Sequence, residues 1–267
     1  MRADSDSTLA AGSWQPAAGS WAGRYCGQTQ SQIAALAGVP RALLFGDVSS
    51  TMDVAHEAAA AGAPAGTLVL AERQLSGRGR AGRVWTSQAG SGVWLTLIER
   101  PWEGVPVELL SLRAGLALAP ALDRFATAPV GIKWPNDLHV HGRKLGGILI
   151  EARWRDGRPE WVALGVGINV SAPADVEHAI GLSSGVMALD VLAAVVPALR
   201  RAAAKRGPLS SAELEAFALR DVAAGKRCSE PAPGTVRGIN EQGELLVESV
   251  EGSSAYRSGS LVLENER

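Results

Sequence analysis

The stretch Gly77-Arg-Gly-Arg-Ala-Gly82 has the spacing G-x-G-x-x-G, and the residues just after it decide which folds are open to the chain. In a doubly wound nucleotide-binding fold, that fingerprint comes after a strand and opens a helix on its last glycine. An acidic residue answers it roughly 20 positions on. Thr67–Glu72 reads as an apolar strand, and Glu99 lies at a tolerable distance. The helix is missing. After Gly82 come Arg83, Val84, Trp85 and Thr86, a second glycine stretch (Gly90-Ser-Gly92), and the alternating strand Gly92–Glu99. The same glycines fail the Walker A pattern, because Arg83-Val84 stands where Lys-Ser/Thr is required. What remains is a glycine loop interleaved with arginines. Glycines allow close backbone approach and positive φ, so successive N–H groups can form an anion-binding concavity. The guanidiniums add permanently charged, bidentate partners for phosphate or carboxylate oxygens.

A second anion-binding signal is Gly131-Ile-Lys-Trp-Pro-Asn-Asp137. Pro135 stops a strand and turns the chain, aiming Lys133 and Asn136 at one end of the sheet. Only four of the 26 basic residues are Lys, and Lys133 sits between Ile132 and Trp134, where a charge needs an anionic partner. Two further segments, Lys144-Leu-Gly-Gly-Ile-Leu-Ile-Glu151 and Gly165-Val-Gly-Ile-Asn169, place glycines inside strands. Glycine weakens a strand unless something approaches it closely. Asn169, at a strand end, offers both a donor and an acceptor, as reading an adenine edge requires.

From Leu43 the pattern is a regular α/β alternation. Ala42–Phe45 reads as a strand, and Ser49, Ser50 or Thr51 caps a helix through Met52–Ala61. Val107–Ala126 is a long amphipathic helix and Val130–Trp134 a strand. Asp137–His141 and Lys144–Arg153 pair as a hairpin, with the strand Glu160–Val170 next in the chain. Val186–Arg206 and Ala212–Ala218 are helical. Beyond Ala223 the chain changes to short β segments, Thr235–Asn240, Glu244–Ser249 and Ser260–Leu263, separated by turns at Gly243, Gly252 and Gly259. The first 42 residues are rich in Ala, Gly and Ser, with Trp14 and Trp21 available to dock on the body. Their segment Ser31–Pro40 reads as a short helix or extended arm rather than half of a DNA-binding motif.

Bulk properties exclude several classes. At 46% hydrophobic and 20% charged residues the chain folds rather than staying disordered. A net charge of -1 leaves no footprint for sequence-independent nucleic-acid binding. It has no apolar run of about 18 residues and no signal-peptide pattern, so the expectation is a cytoplasmic protein with no membrane partner. Cys26 and Cys228 are isolated thiols, and Cys228 reads as packed. His139 and His141 share a strand face, but with no third ligand in view an exposed hairpin is the plainer reading.

Taken in order, these motifs resemble those of the biotin–protein ligases: a Ser-Thr-Asn turn, GRGRxGRxW, KWPND, K-x-x-GIL-x-E and GxGxN. Here they read Ser50-Thr51-Met52, Gly77–Trp85, Lys133–Asp137, Lys144–Glu151 and Gly165–Asn169. The resemblance implies an α+β fold. Its catalytic domain (43–222) has a mixed sheet like that of class II aminoacyl-tRNA synthetases, after an N-terminal arm (1–42), and a small SH3-like barrel ends the chain (223–267). The implied reaction joins biotin to ATP as biotinyl-5'-AMP, then transfers biotin to a lysine of the biotin carboxyl carrier domain of an acetyl-CoA or acyl-CoA carboxylase. By the same resemblance, Ser50, Thr51, Met52, Gln74, Gly77, Arg78, Gly79, Arg80 and Lys133 line the biotin and adenylate site. Lys133 and Arg80 are catalytic, and Trp85, Asn136 and Asn169 bind ATP. Mg²⁺ accompanies ATP, with only Asn136 and Asp137 as weak candidate ligands. Met52 departs from the family's usual Asn and removes an amide near the biotin ring. With no DNA-binding domain before it, the chain looks like the monofunctional type, with no DNA partner and with a homodimer open. The rivals are a lipoate or octanoate ligase or transferase of the same fold, and a non-catalytic biotin-binding module.

Overall fold

The computed structural model describes residues 19–100 and 104–264; Trp14 and the segment read for a signal peptide lie outside the described residues. Strand β1 (Gly19–Trp21) leads into a small hairpin, β2 (Arg24–Tyr25) and β3 (Gln28–Thr29), and then helix α1 (Gln30–Ala37). Thr29 and Gln32 form a capping box on α1, and Gly38 ends it in the left-handed region at φ 64°. Next come β4 (Arg41–Val48), α2 (Thr51–Ala60), β5 (Thr67–Arg78), β6 (Val84–Ser87) and β7 (Gly92–Glu99). After them are α3 (Leu110–Leu122), β8 (Gly131–Lys133), β9 (Asp137–Val140), β10 (Arg143–Arg155), β11 (Arg158–Asn169), α4 (Ala188–Ala203) and α5 (Ser211–Ala218). The chain closes with β12 (Arg227–Glu230), β13 (Gly234–Ile239), β14 (Leu245–Ser249), β15 (Gly252–Tyr256) and β16 (Val262–Leu263).

The main sheet runs β1-β4-β5-β7-β11-β10-β9-β8, with β6 added to β5. It is mixed: β4 and β5 are parallel and every other pairing is antiparallel. Period-two alternation buries both faces. Leu44, Leu68, Leu70, Leu95 and Leu97 pack toward α1, α3 and α4, while Leu43, Phe45, Val69, Ala71, Ile98 and Ala163 pack toward α2. The C-terminal strands form a five-stranded antiparallel sheet, β15-β14-β13-β12-β16, whose Val236, Leu245, Val247, Leu261 and Leu263 join the larger core. Trp134 ties the two sheets together by donating from Nε1 to the Gly243 carbonyl at 3.0 Å.

Three elements differ from the expectations above. The described part of the presumed arm belongs to the body, since β1 pairs with β4, Trp21 stacks on Phe45 at 4.6 Å, and Ile33 and Ala37 of α1 are buried. Strand β5 does not end at Glu72 but continues to Arg78 and turns back as β6, so the arginine loop is the tip of a hairpin. In the tail, Gly252–Tyr256 is a strand rather than a turn, and β12 is added before it. Alternation is weak in all of these: β15 is almost wholly exposed, and β6 is only four residues long.

Candidate functional site

The turn from β4 into α2 builds the first wall. Ser50 is the N-cap of α2 and accepts from the Met52 amide at 3.3 Å. Gln74 of β5 lies opposite, and its Oε1 accepts from Ser50 Oγ at 3.3 Å, Thr51 N at 2.9 Å and Thr51 Oγ1 at 3.1 Å. Thr96 of β7 extends the chain by donating to Thr51 Oγ1 at 2.9 Å. On the other side Gln74 donates to Ser87 Oγ of β6 at 2.9 Å. One amide therefore fixes α2, β5 and β6 against each other. All of these polar groups except Gln74 are buried, where hydrogen-bonding geometry is sharply enforced.

Beside this cluster the strand glycines find their explanation. A Cβ on Gly167 would lie 2.7 Å from Cε2, 2.8 Å from Nε1 and 2.9 Å from Cζ2 of Trp85, and one on Gly147 would lie 3.1 Å from Cζ3. The close approach expected at these strands comes from the Trp85 ring, which lies against β10 and β11. At Gly165 it is Met52, whose Cε is 2.7 Å from where a Cβ would be. Trp85 also meets Trp94 edge-on at 6.1 Å and has Lys144 Nζ 5.4 Å from its ring centre. Its indole Nε1 is buried without a hydrogen-bond partner.

The cationic part lies along β8, β9 and the hairpin tip. Arg80 donates from Nη1 to Asn136 Oδ1 and to the Gly259 carbonyl, both at 3.4 Å, and Arg83 donates to Ser260 Oγ at 2.7 Å. Burial pulls the Arg80 guanidinium below the usual arginine range, with Asp137 opposing and Arg83 adding to the shift. Asn136 is held in turn by donating to the Ile148 carbonyl at 2.8 Å. Lys144 pairs with Asp137 at 2.8 Å. These groups and the polar cluster line one cavity of about 510 Å³, a size that suits a small-molecule ligand.

Of the residues expected from sequence, Ser50, Thr51, Met52, Gln74, Arg78, Gly79, Arg80, Trp85, Lys133 and Asn136 line this cavity. Gly77 does not. It faces an adjoining groove and admits β6, since a Cβ there would lie 2.5 Å from the Trp85 carbonyl oxygen. Asn169 does not line the cavity either. It is buried, and its amide donates to the carbonyls of Lys144 at 3.5 Å and Ile180 at 3.3 Å, tying the end of β11 to the loop beyond it. Arg78 lines the wall, but its guanidinium is held by Asp53 and Glu151 at 2.9 and 3.1 Å. His139 is buried rather than exposed, and burial lowers its pKa; His141 lies in the turn at φ 51°. Thr96, Lys144 and Gly259–Val262 line the cavity without having been singled out as site residues. Lys144 stood in a quoted motif, whereas nothing local marks Gly259–Val262, which reach the cavity only through the packing of the second sheet. Among the described residues no group of three His, Cys, Asp or Glu side chains could hold a metal ion, and Asp137 is engaged by Lys144.

A mixed sheet whose cleft joins a hydrogen-bonding compartment to a cationic one is built to hold a small amphipathic anion. Residues 45–169 match the family model described as the biotin/lipoate A/B protein ligase family. It is 44% identical over 137 residues to the bifunctional ligase/repressor BirA of Bacillus spizizenii, covering 50% of this chain and 42% of that protein. It is 39% identical over 136 residues to the biotin–[acetyl-CoA-carboxylase] ligase of Mycobacterium tuberculosis, covering 48% of this chain and 49% of that one. The matches thus span less than half the length of these relatives. The fold is that of the Aquifex aeolicus biotin protein ligase solved with biotin and ATP, with a TM-score of 0.65 at 24% identity, covering 84% of this chain and 98% of that one.

Proposed function

We propose that the chain is a biotin–protein ligase, which makes biotinyl-5'-AMP from biotin and ATP and transfers biotin to a lysine of a carboxylase's biotin carboxyl carrier domain. The observation that carries this reading is the single cavity shared by the Gln74 cluster, the Trp85 ring and the Lys133 and Arg80 cations. Ser50, Thr51 and Gln74 match the donors and acceptors of a cyclic urea, and Met52, Leu95 and Leu149 match its apolar ring and chain.

In the first step a biotin carboxylate oxygen attacks the α-phosphorus, and the bond to the β-phosphate oxygen breaks, releasing pyrophosphate. Two anions meet, so the protein's task is positive charge and alignment. Lys133, at the end of β8 and in the cavity lining, would bridge carboxylate and α-phosphate, and Arg80, fixed by Asn136 and Gly259, would stabilise charge on the phosphoryl oxygens. In the second step the acceptor lysine's neutral amine attacks the acyl carbon, AMP leaves, and the amine gives up a proton to solvent. The Gly/Arg hairpin tip acts as a lid that keeps water from the mixed anhydride. Mg²⁺ brought in with ATP would add positive charge on the phosphates, and it would need few protein ligands because phosphate oxygens and waters supply most of its shell. The second sheet is read as an SH3-like module that completes the cleft through Gly259–Val262.

The family's description covers lipoate as well as biotin. A buried set of side chains converging on one amide favours a polar bicyclic head over a dithiolane. Incubating the chain with ATP, an acceptor domain and either biotin or lipoate, and weighing the acceptor, tests the reading. One biotinyl addition is expected. Lipoylation alone points to the rival ligase, and tight biotin binding without pyrophosphate release points to a binding module.

A further inference from the structure

Arg78 is the last residue of β5, and the glycine-rich tip begins immediately after it. Its Nη2 lies 2.9 Å from Asp53 Oδ1 and 3.1 Å from Glu151 Oε2. Glu151 Oε2 also meets His56 Nε2 at 3.0 Å, and Trp161 Nε1 donates to His56 Nδ1 at 2.9 Å. An indole N–H can only donate, so His56 Nδ1 is an acceptor, and Nε2 carries the ring hydrogen and donates to Glu151. Asp53 is oriented separately, accepting from Ser49 Oγ at 3.1 Å. Trp161 is itself packed in the core under α2, so the chain of bonds runs from a rigid anchor on β11, through α2 and β10, to the root of the loop.

We propose that Arg78 is a positioning residue and that Trp161, His56, Glu151 and Asp53 form a clamp on it, fixing where the Gly/Arg lid leaves the sheet. Two carboxylates balance the Arg78 charge, so the phosphate-facing cations of the cleft are Arg80, Arg83 and Lys133. Arg78 acts through the loop it roots. His56, Trp161 and Asp53 acquire a role in ligand retention although none of them lines the main cavity. The consequence for the adenylate rests on the function proposed above, whereas the clamp itself does not.

The test uses the full chain. Amide hydrogen exchange at residues 79–84 is measured without ligand, and loss of labelled biotinyl-AMP is measured after its formation in place. Removing two part-exposed ion pairs should speed both by about tenfold in Arg78→Met and in the double variant Asp53→Asn/Glu151→Gln. Arg78→Lys should recover most of the loss. Trp161→Phe, which keeps an aromatic side chain but loses the N–H donor together with the second ring, should give about a threefold effect at 79–84 that vanishes in an Arg78→Met background. Unchanged protection in α3 and α4 reports an intact fold. Exchange at 79–84 that ignores Arg78→Met, or effects of Glu151→Gln that multiply with those of Arg78→Met, would overturn the clamp. If wild type forms no adenylate, the functional reading fails while the exchange data still decide the clamp. If exchange responds and adenylate loss does not, the clamp roots the loop but has no part in retention, which overturns that half of the proposal.

Discussion

Gly167→Ala isolates what the strand glycines do. The added Cβ would stand 2.7 to 2.9 Å from three atoms of the Trp85 ring, against an ordinary carbon contact of about 3.5–4.0 Å. The ring is rigid and backed by Trp94 and Lys144, so either Trp85 retreats by about 1 Å or β11 bends, and overpacking of this kind costs about 1–3 kcal/mol. If Trp85 binds ATP by stacking on the adenine, as the resemblance to biotin–protein ligases implies, a contact worth about 1–3 kcal/mol is displaced with the ring, and the KM for ATP should rise by about tenfold or more. The hydrogen bonds of Ser50, Thr51 and Gln74 do not involve the Trp85 ring, and calorimetric biotin affinity should stay within about twofold. Gly165→Ala is the matched control. There the Cβ meets Met52 Cε at 2.7 Å, the free end of a flexible side chain, so any loss should fall on biotin rather than ATP. Equal losses for both ligands in Gly167→Ala, or an unchanged ATP dependence, would refute Trp85 as the adenine platform.

Three further outcomes are expected. Lys133→Ala should lower biotin-dependent pyrophosphate release by about 10²-fold or more, and wild-type turnover in that assay would remove Lys133 from its assigned role. Arg80→Gly loses the Asn136 and Gly259 bonds and should leak adenylate, seen as biotin on bystander lysines; release no faster than wild type would mean the tip is not a lid. Glu213 tests stability against pH. Burial pushes its carboxyl up, but the Ser210 amide, Lys205 and Arg113 outweigh burial and bring it down to about 2 from the usual 4.5. A depressed folded-state value stabilises above the unfolded pKa and is lost as pH falls through the folded one. That is about 3 kcal/mol, present above about pH 4.5 and fading toward pH 2. Urea unfolding of wild type and Glu213→Gln should differ at pH 7, and the difference should shrink steadily below about pH 4.5 toward convergence near pH 2; a pH-independent difference would contradict this assignment.

The alternation of strands and helices from β4 to β11 was legible because both faces of the main sheet are buried and its helices are amphipathic. The cleft residues were legible where chemistry demands a rare residue in an odd place, as at Lys133 or among the glycines of the hairpin tip. The glycines of β10 and β11 were correctly read as close-approach sites, but the occupants are Trp85 and Met52, and such packing is a tertiary fact. Asn169 lies outside the cavity lining for a related reason: an amide suited to an adenine edge is equally suited to two backbone carbonyls. Arg78 looked like a phosphate ligand because Asp53 and Glu151, both distant in sequence, become its neighbours only in the fold. Gly259–Val262 carry no local signal, since their place at the cleft depends on how the second sheet docks.

The proposed formation of an acyl-adenylate and its transfer to protein in one cleft are tested most directly by the mass of a biotin carboxyl carrier domain after incubation with this chain, ATP and biotin. A single biotinyl addition on one lysine is expected, dependent on ATP and lost in Lys133→Ala. An acceptor of unchanged mass alongside a biotin-saturated protein would contradict it.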